Sequence, residues 1–463
     1  MNLAHIKYVY FLGIGGIGMS AIARYFKHIG LQIYGYDKTE TALTQALVSE
    51  GMYIHYTDEP DYVANLPIDK QNTLVVLTPA IPKDHQEWEW FRKNNFNILK
   101  RAEVLGVLSE FSITIGVAGT HGKTTTSTML AHLLSQSNVK CNAFLGGIAS
   151  NYNSNLVLHP QAETLAIEQQ FTVVEADEFD RSFLSLSPYY AIITSTDADH
   201  LDIYGVHSVM QESFLAYANK LRAGGTLLVK YNLDIIPKLS GQFKTYGLHQ
   251  NAQIYAHNIR INEAEHIFDL KLEDKEIKDL SLGIPGLHNI ENAVAASAIA
   301  LMCGVSEVEL RLGLSSFKGV KRRFEYRIKS QEHIFIDDYA HHPEEIKAIL
   351  GSVRRMYPNQ KLVVAFQPHL FSRTRDFLDE FAQSLSMADS VYLLPIYPAR
   401  ELPIAGINSE LLLEKIQVKE KALLDKQTLV NTIVALKPSL FVCLGAGDID
   451  TLVEPIEKGL LAK

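Results

Sequence analysis

The sequence is poor in cysteine, in excess charge of one sign and in long apolar runs, and each shortage excludes something. Three cysteines, Cys141, Cys303 and Cys443, are spread over 463 residues with no CxxC pair. That rules out a secretory disulfide framework and predicts reduced core thiols in a cytosol. Lys+Arg 43 against Asp+Glu 52 gives a net charge of −9, and the two signs are interspersed, which leaves no basic surface for nucleic acid. The apolar run inside the opening MNLAHIKYVYFLGIGGIG is only about half a dozen residues long, too short for a membrane span or a signal segment. A cytoplasmic chain with no membrane partner is expected. No low-complexity tract and no repeat period is evident.

What is present is ordinary globular composition, 47% hydrophobic and 21% charged, in a chain long enough for about three domains. YVYFLGIGG, then IGMSAIARYFKHIG with helical spacing, then LQIYGYD form a β-α-β unit, and TLVVLTPAIP at 73–82 and HQEWEWFRKNN extend it as strand and helix. This first segment is set at 1–107. A second, 108–317, holds ITIGVAG, the helical TTTSTMLAHLLSQS, the strands FTVVEAD, YYAIITST and TLLVKYN, and an alanine-rich helix over 288–304. A third, 318–463, follows the basic linker FKGVKRR and repeats the alternation: HIFIDDYA, PEEIKAILGSVRRMY, KLVVAFQP, a helix over TRDFLDEFAQSLSMA, VYLLPIYP and LFVCLGAG. Strand and helix in alternation predict parallel sheets covered on both faces, so the expected fold class is α/β: three consecutive domains, the outer two Rossmann-like and the middle one P-loop ATPase-like.

Two glycine loops stand out. Gly13, Gly15 and Gly18 spell GxGxxG between a strand and a helix, with Gly16, Met19 and Ser20 beside them and Asp37 at the end of the next strand. Taken alone this pattern reads as a dinucleotide site, or as no more than a tight structural turn. Its physics is broader: the glycines admit a diphosphate to the backbone, and the acid reaches a hydroxyl of any attached nucleoside. The second loop is Gly119-Thr120-His121-Gly122-Lys123-Thr124-Thr125, with Val117 where the common P-loop has its first glycine. Backbone N–H groups, an ammonium and a hydroxyl at a helix start suit a triphosphate and its metal, the plain alternative being a turn with an N-capping threonine. A dehydrogenase needs one such loop. An enzyme that joins a nucleotide-linked substrate to something else at the expense of ATP needs two.

Acids and imidazoles gather where strands end. Glu175 and Asp177 close one strand, and Asp197, Asp199, His200 and Asp202 follow another. Oxygen donors such as Thr124 and Glu175 suit Mg²⁺, and His200 suits a second ion, unless these are solvated loop side chains. In the third segment Asp337, Asp338, Tyr339, His341 and His342 crowd seven residues, and His369, Arg373 and Arg375 follow the next strand. So many titratable groups are rarely core, and an arginine is the usual clamp for a carboxylate. Arg323 in the linker is either a phosphate contact or part of an exposed basic patch.

Together, GIGGIGMSA, GTHGKTT, EADEFDRSFL, DADHLDIYG, GLHNIENAVAA, GVKRRFE, DDYAHHPEEI and FQPHLFSRTRDF resemble the Mur ligases of bacterial peptidoglycan synthesis along essentially the whole chain. Within that family the likeness is to the branch that attaches L-alanine to UDP-N-acetylmuramate. The resemblance implies that the shorter loop is the family's own form, and that Gly13, Gly15, Gly16, Gly18, Met19, Ser20 and Asp37 hold a UDP-sugar and not NAD. It gives Gly119 to Thr125 and Lys123 to ATP, with Asn289 and Asn292 on the adenine side and Arg323 and Asp338 in support. Thr124, Glu175 and His200 fall to metal, two Mg²⁺ ions in all, and Tyr339, His341, His369 and Arg373 to the amino acid.

The reaction so implied runs through an acyl phosphate. Lys123, Arg323, His200 and His341 are its candidate catalytic residues, and the linker 318–323 is the hinge on which the third domain closes. The implied protein is a cytoplasmic enzyme of cell-wall biogenesis, monomer or homodimer. One departure is Leu370, where many relatives carry a cation, which leaves the carboxylate to Arg373 or Arg375. No lysine after DADHLDIYG matches the carbamate-bearing lysine of the sister ligases. Rival readings are a recycling ligase that attaches a ready-made tripeptide to the same sugar, an NAD-dependent dehydrogenase, and a non-catalytic nucleotide-controlled binding protein.

Overall fold

The computed structural model describes residues 5–198, 201–262, 265–399 and 401–462. The chain forms two compact units, residues 1–257 with 270–277 and 292–314, and residues 258–269 with 278–291 and 315–463. Three sheets carry it.

The first sheet is wholly parallel, in the order β3-β2-β1-β4-β5, from β1 (Tyr8–Leu12), β2 (Gln32–Tyr36), β3 (Tyr53–His55), β4 (Thr73–Leu77) and β5 (Asn97–Lys100). β1 and β4 are continuous apolar runs because both of their faces are covered. Val9, Phe11, Leu74 and Val76 pack with Met19, Ile22 and Phe26 of the helix Ile17–His28 on one side, and Tyr10, Leu12 and Val75 pack with Phe91 on the other. Burying one such side chain is worth about 1.5–3 kcal/mol. The chain leaves β1 toward β2 and returns on the opposite side at β4, so a crevice opens at the carboxyl end of β1, where the first glycine loop begins.

The second sheet has the order β15-β14-β13-β12-β11-β10-β6-β9-β7-β8. Its strands are β6 (Ile113–Ala118), β7 (Asn142–Ala149), β8 (Ser154–Val157), β9 (Phe171–Glu175), β10 (Tyr190–Ile193), β11 (Thr226–Lys230), β12 (Phe243–Gly247), β13 (Ile254–Asn262), β14 (Glu265–Lys271) and β15 (Glu276–Leu282). β6 lies between β9 and β10, parallel to both, so its loop too leaves the middle of a sheet. The expected parallel arrangement holds for β6, β7, β9, β10, β11 and β12, while β8 pairs antiparallel to β7. The strands from 243 to 282 were not foreseen from the sequence.

The third sheet runs β16-β17-β21-β18-β19-β20, with β16 (Glu325–Lys329), β17 (Ile334–Asp338), β18 (Leu362–Phe366), β19 (Ser390–Leu393), β20 (Glu420–Leu423) and β21 (Leu440–Leu444). β17, β18 and β21 are buried along their full length, and β16 alone is antiparallel. The single helix expected over 374–388 is two, Phe371–Asp376 and Leu378–Leu385, because Phe377 between them leaves helical geometry at φ −124°, ψ 29°.

Candidate functional site

The loop after β6 is shaped by two glycines in left-handed conformation, Gly119 (φ +138°) and Gly122 (φ +82°). A Cβ at residue 119 would sit 2.1 Å from Thr194 Oγ1, so only glycine lets the loop close against the end of β10. Thr120 Oγ1 and Ser195 Oγ lie 2.8 Å apart, and His121 N donates to Ser195 Oγ at 2.7 Å. The helix Lys123–Gln136 starts at once, with no acidic residue in its first turn to compete with an anion.

Lys123 Nζ donates to Gly119 O at 2.6 Å and to Glu178 Oε1 at 2.9 Å. Burial pulls its ammonium down, but the Glu178, Asp177 and Glu175 carboxylates outweigh burial and leave it raised, so it stays charged. Thr124 Oγ1 donates to Glu175 Oε1 at 2.9 Å, and Gly146 N donates to Glu175 Oε2 at 2.9 Å. Burial raises the Glu175 carboxyl, with Lys123 acting against it. Asn292 Oδ1 faces Gly122, 2.9 Å from where a Cβ would stand. Asn289 is buried, its Nδ2 donating to Pro285 O at 2.5 Å. His200, with Asp199, lies outside the described residues. Among the described residues no three His, Cys, Asp or Glu side chains form a ready metal cluster.

In the first loop Gly13 takes φ +88°. Gly15 N donates to Asp37 Oδ2 at 2.6 Å, and a side chain at residue 15 would collide with that carboxylate. Gly16 is the N-cap of the helix Ile17–His28. The Met19 and Ser20 side chains are buried, Ser20 Oγ donating to Ile17 O at 2.9 Å, so these two present backbone and not side chain to the loop. Gly18 abuts a residue that sequence reasoning passed over: a Cβ there would be 2.8 Å from Arg101 Nη1. Arg101 opens the helix Arg101–Phe111 after β5 and also lines a small cavity with Glu175 and Asp177. It thereby stands between the first loop and the acids of the second. Glu178 was likewise missed. Three acids in EADE look alike in sequence, and only the fold buries Glu178 beside Lys123.

In the third sheet Asp338 ends β17. Its two oxygens accept from Phe324 N at 2.6 Å and Ala340 N at 2.7 Å, and burial raises its carboxyl to about 6 despite Arg323. The Arg323 guanidinium lies 4.9 Å from the Tyr339 ring centroid, and Arg323 Nη1 stands 3.6 Å from Glu345 Oε1. The rings of Tyr339, His341, His369 and Tyr397 follow one another at 5.2, 6.0 and 5.7 Å. Arg373 Nη1 is 3.5 Å from His369 Nδ1, and Arg373 is buried. Of the two candidate arginines, Arg373 joins this cluster. Arg375 turns outward to Asp376 at 2.7 Å. Leu370 occupies the left-handed region at φ +71°, its N–H held by Tyr397 O at 2.9 Å.

Comparison with known proteins agrees with this layout. Residues 8–112 match the Mur ligase family catalytic domain, 117–300 the Mur ligase middle domain, and 322–447 the Mur ligase glutamate ligase domain. The UDP-N-acetylmuramate–L-alanine ligase of Christiangramia forsetii is 49% identical over 99% of both chains, and that of Phocaeicola vulgatus 47% identical over the full length of both. Among solved structures, the UDP-N-acetylmuramate–alanine ligase of Thermotoga maritima aligns over 97% of this chain and 98% of its own at TM-score 0.77 and 27% identity. A murein peptide ligase from Psychrobacter arcticus, at 22% identity and TM-score 0.66 over 98% of both chains, shares the fold. With three domain matches in chain order and relatives this similar from end to end, the chain belongs to the Mur ligase family.

Proposed function

We propose that this chain is the ATP-dependent ligase that attaches L-alanine to the lactyl carboxylate of UDP-N-acetylmuramate in peptidoglycan synthesis. The observation that carries the reading is the pair of glycine loops, each leaving an interior strand that is parallel to both its neighbours, with Asp37 at one and Lys123 at the other. One suits a nucleoside diphosphate sugar and the other a nucleoside triphosphate, and full-length relatives bearing that ligase name supply the substrates.

In the reaction a carboxylate oxygen of the sugar's lactyl group attacks the γ-phosphorus of ATP. The bond to the β–γ bridging oxygen breaks, ADP leaves, and an acyl phosphate remains. The amine of L-alanine then attacks the acyl carbon, phosphate departs with the C–O bond's electrons, and the amine loses a proton. Lys123 and Arg323 stabilise charge on the transferring phosphoryl group, and the backbone N–H groups of the second loop hold the phosphates. Thr124 and Glu175 present adjacent oxygens, a donor set that suits Mg²⁺. Bound there, Mg²⁺ would neutralise phosphate charge, and His200 is assigned to a second ion. Tyr339, His341, His369 and Arg373 are assigned to L-alanine, Arg373 clamping its carboxylate, and Asn289 and Asn292 to adenine. The assigned domains are 1–107 for the UDP-sugar, 108–317 for ATP and 318–463 for the amino acid. The setting is the cytoplasm, in keeping with three free cysteines and, among the described residues, no helix able to cross a membrane.

The test is phosphate release from ATP and Mg²⁺ with UDP-N-acetylmuramate, to which L-alanine or the tripeptide L-Ala-γ-D-Glu-diaminopimelate is added separately. Release with L-alanine is expected. Release with the tripeptide alone would make this a recycling ligase and overturn the reading.

A further inference from the structure

The linker carries two adjacent arginines that the structure uses in opposite ways. Arg322 takes a left-handed conformation, φ +59°, so the chain turns sharply between it and Arg323. Its side chain reaches into the third sheet: Nη2 donates to Gly445 O at 2.6 Å, Nη1 stands 3.3 Å from Asp450 Oδ2, and Nε stands 3.4 Å from Asp337 Oδ2. Its backbone is tied as well, N to Glu325 Oε2 at 2.7 Å and O to Tyr339 N at 2.6 Å. One residue thus fastens the linker to β16, to β17, to the loop after β21 and to the turn Asp448–Leu452. Arg323 has far less holding its head group, an ion pair to Glu345 at 3.6 Å and the face of Tyr339. The Arg322 guanidinium lies against the same ring, 5.2 Å from its centroid.

We propose that Arg322 is a positioning residue for the ligase reaction: its fork onto Gly445, Asp450 and Asp337 fixes the linker so that Arg323 and Tyr339 are presented together. This rests on the reading of Arg323 as a phosphate contact. The guanidinium makes one hydrogen bond, to Gly445 O, and two ion-pair contacts, its Nε standing opposite Asp337 without a hydrogen bond, and a lysine at 322 keeps the charge while losing this three-way spread. Asp337 fits the arrangement, since it is buried with Oδ1 lacking a hydrogen-bond partner, so Arg322 is its nearest compensation. Burial pushes its carboxyl up to about 7, against the pull of Arg322.

The experiment is a double-mutant cycle on the full chain, reading phosphate release at saturating substrates, with Arg322→Lys, Arg323→Ala and the pair. Arg322→Lys is expected to lower kcat by about tenfold, to leave the KM for UDP-N-acetylmuramate unchanged, and to add no further loss once Arg323 is alanine. A merely structural role would lower kcat by the same factor in both backgrounds, and that result, or a wild-type kcat for Arg322→Lys beside an impaired Arg323→Ala, overturns the proposal. Wild-type turnover by Arg323→Ala would instead remove the reading beneath it. Should Arg322→Lys fail to fold, Asp450→Asn runs the same cycle, because that carboxylate is half-exposed and its loss removes one arm alone. A smaller kcat loss that vanishes with Arg323→Ala is expected there, and a loss that persists overturns the proposal.

Discussion

The two glycine loops are the same backbone device with side chains of opposite charge bonded to the loop's own backbone. Each follows an interior strand that is parallel to both its neighbours, turns on a glycine with positive φ and opens a helix whose first turn has no acid. In the first loop the charge bonded to the backbone is Asp37, whose carboxylate accepts from the loop's own amide at 2.6 Å, with the Arg101 guanidinium lying against Gly18. In the second it is Lys123, whose ammonium caps the loop's own carbonyl at 2.6 Å. The backbone alone would serve any phosphate. The side chain decides which: an acid repels a dense triphosphate but accepts from a hydroxyl, whereas a buried ammonium needs dense negative charge to replace the carboxylates that hold it. The pattern GxGxxG therefore announces a diphosphate and not a particular nucleoside.

The strongest way to break the comparison is to remove the lysine. Lys123→Ala is expected to lower kcat by roughly 100- to 1000-fold, the cost typical of one lost charge-stabilising donor. The KM for UDP-N-acetylmuramate should hold, since the first loop is untouched. Steady-state phosphate release decides it, and near-normal turnover would deny Lys123 any part in the chemistry. The mirror experiment is smaller. Asp37→Ala is expected to raise the KM for the UDP-sugar by about tenfold, the scale of one hydrogen bond to a charged group, with kcat nearly kept. A fall in kcat without a change in KM would mean the two loops do not divide the substrates as proposed.

The sequence made both loops visible because glycines that admit a backbone turn, and the apolar strands that feed them, are written in a few consecutive residues. β1, β4, β6, β9, β10, β17, β18 and β21 were legible for the same reason, as buried parallel strands read as unbroken apolar runs. β3, β5, β16 and β20 were not, being short, partly exposed segments such as Tyr53–His55 and Glu420–Leu423 whose pairing depends on the sheet beside them. β7 and β8 escaped because their ladder shifts register between Phe144 and Ala149. Nor could sequence find Arg101, 83 residues from Gly18, which it meets only because helix and loop converge. Glu178 was hidden by its neighbours. It is the N-cap of the 3₁₀ helix Phe179–Ser185, where no periodicity says which of Glu175, Asp177 and Glu178 is buried.

Glu175, the partly buried acid bonded to Thr124, supplies the mildest test, one of pH. Burial raises the Glu175 carboxyl above its ordinary value in the folded, ligand-free protein. A carboxyl raised on folding binds its proton more tightly in the native state than in the unfolded one, so its contribution to stability is greatest at low pH. That contribution falls as the pH climbs from the ordinary glutamate value through the raised one. Glu175→Gln keeps the shape and cannot ionise. Relative to wild type, the variant should therefore melt higher at pH 8 than at pH 4.5, by about 2–4 °C for each kcal/mol if the folding unit that melts has 150–250 residues. Melts without nucleotide or Mg²⁺ measure it. An equal difference from wild type at the two pH values would mean that the surroundings of Glu175 beside Thr124 do not raise its carboxyl.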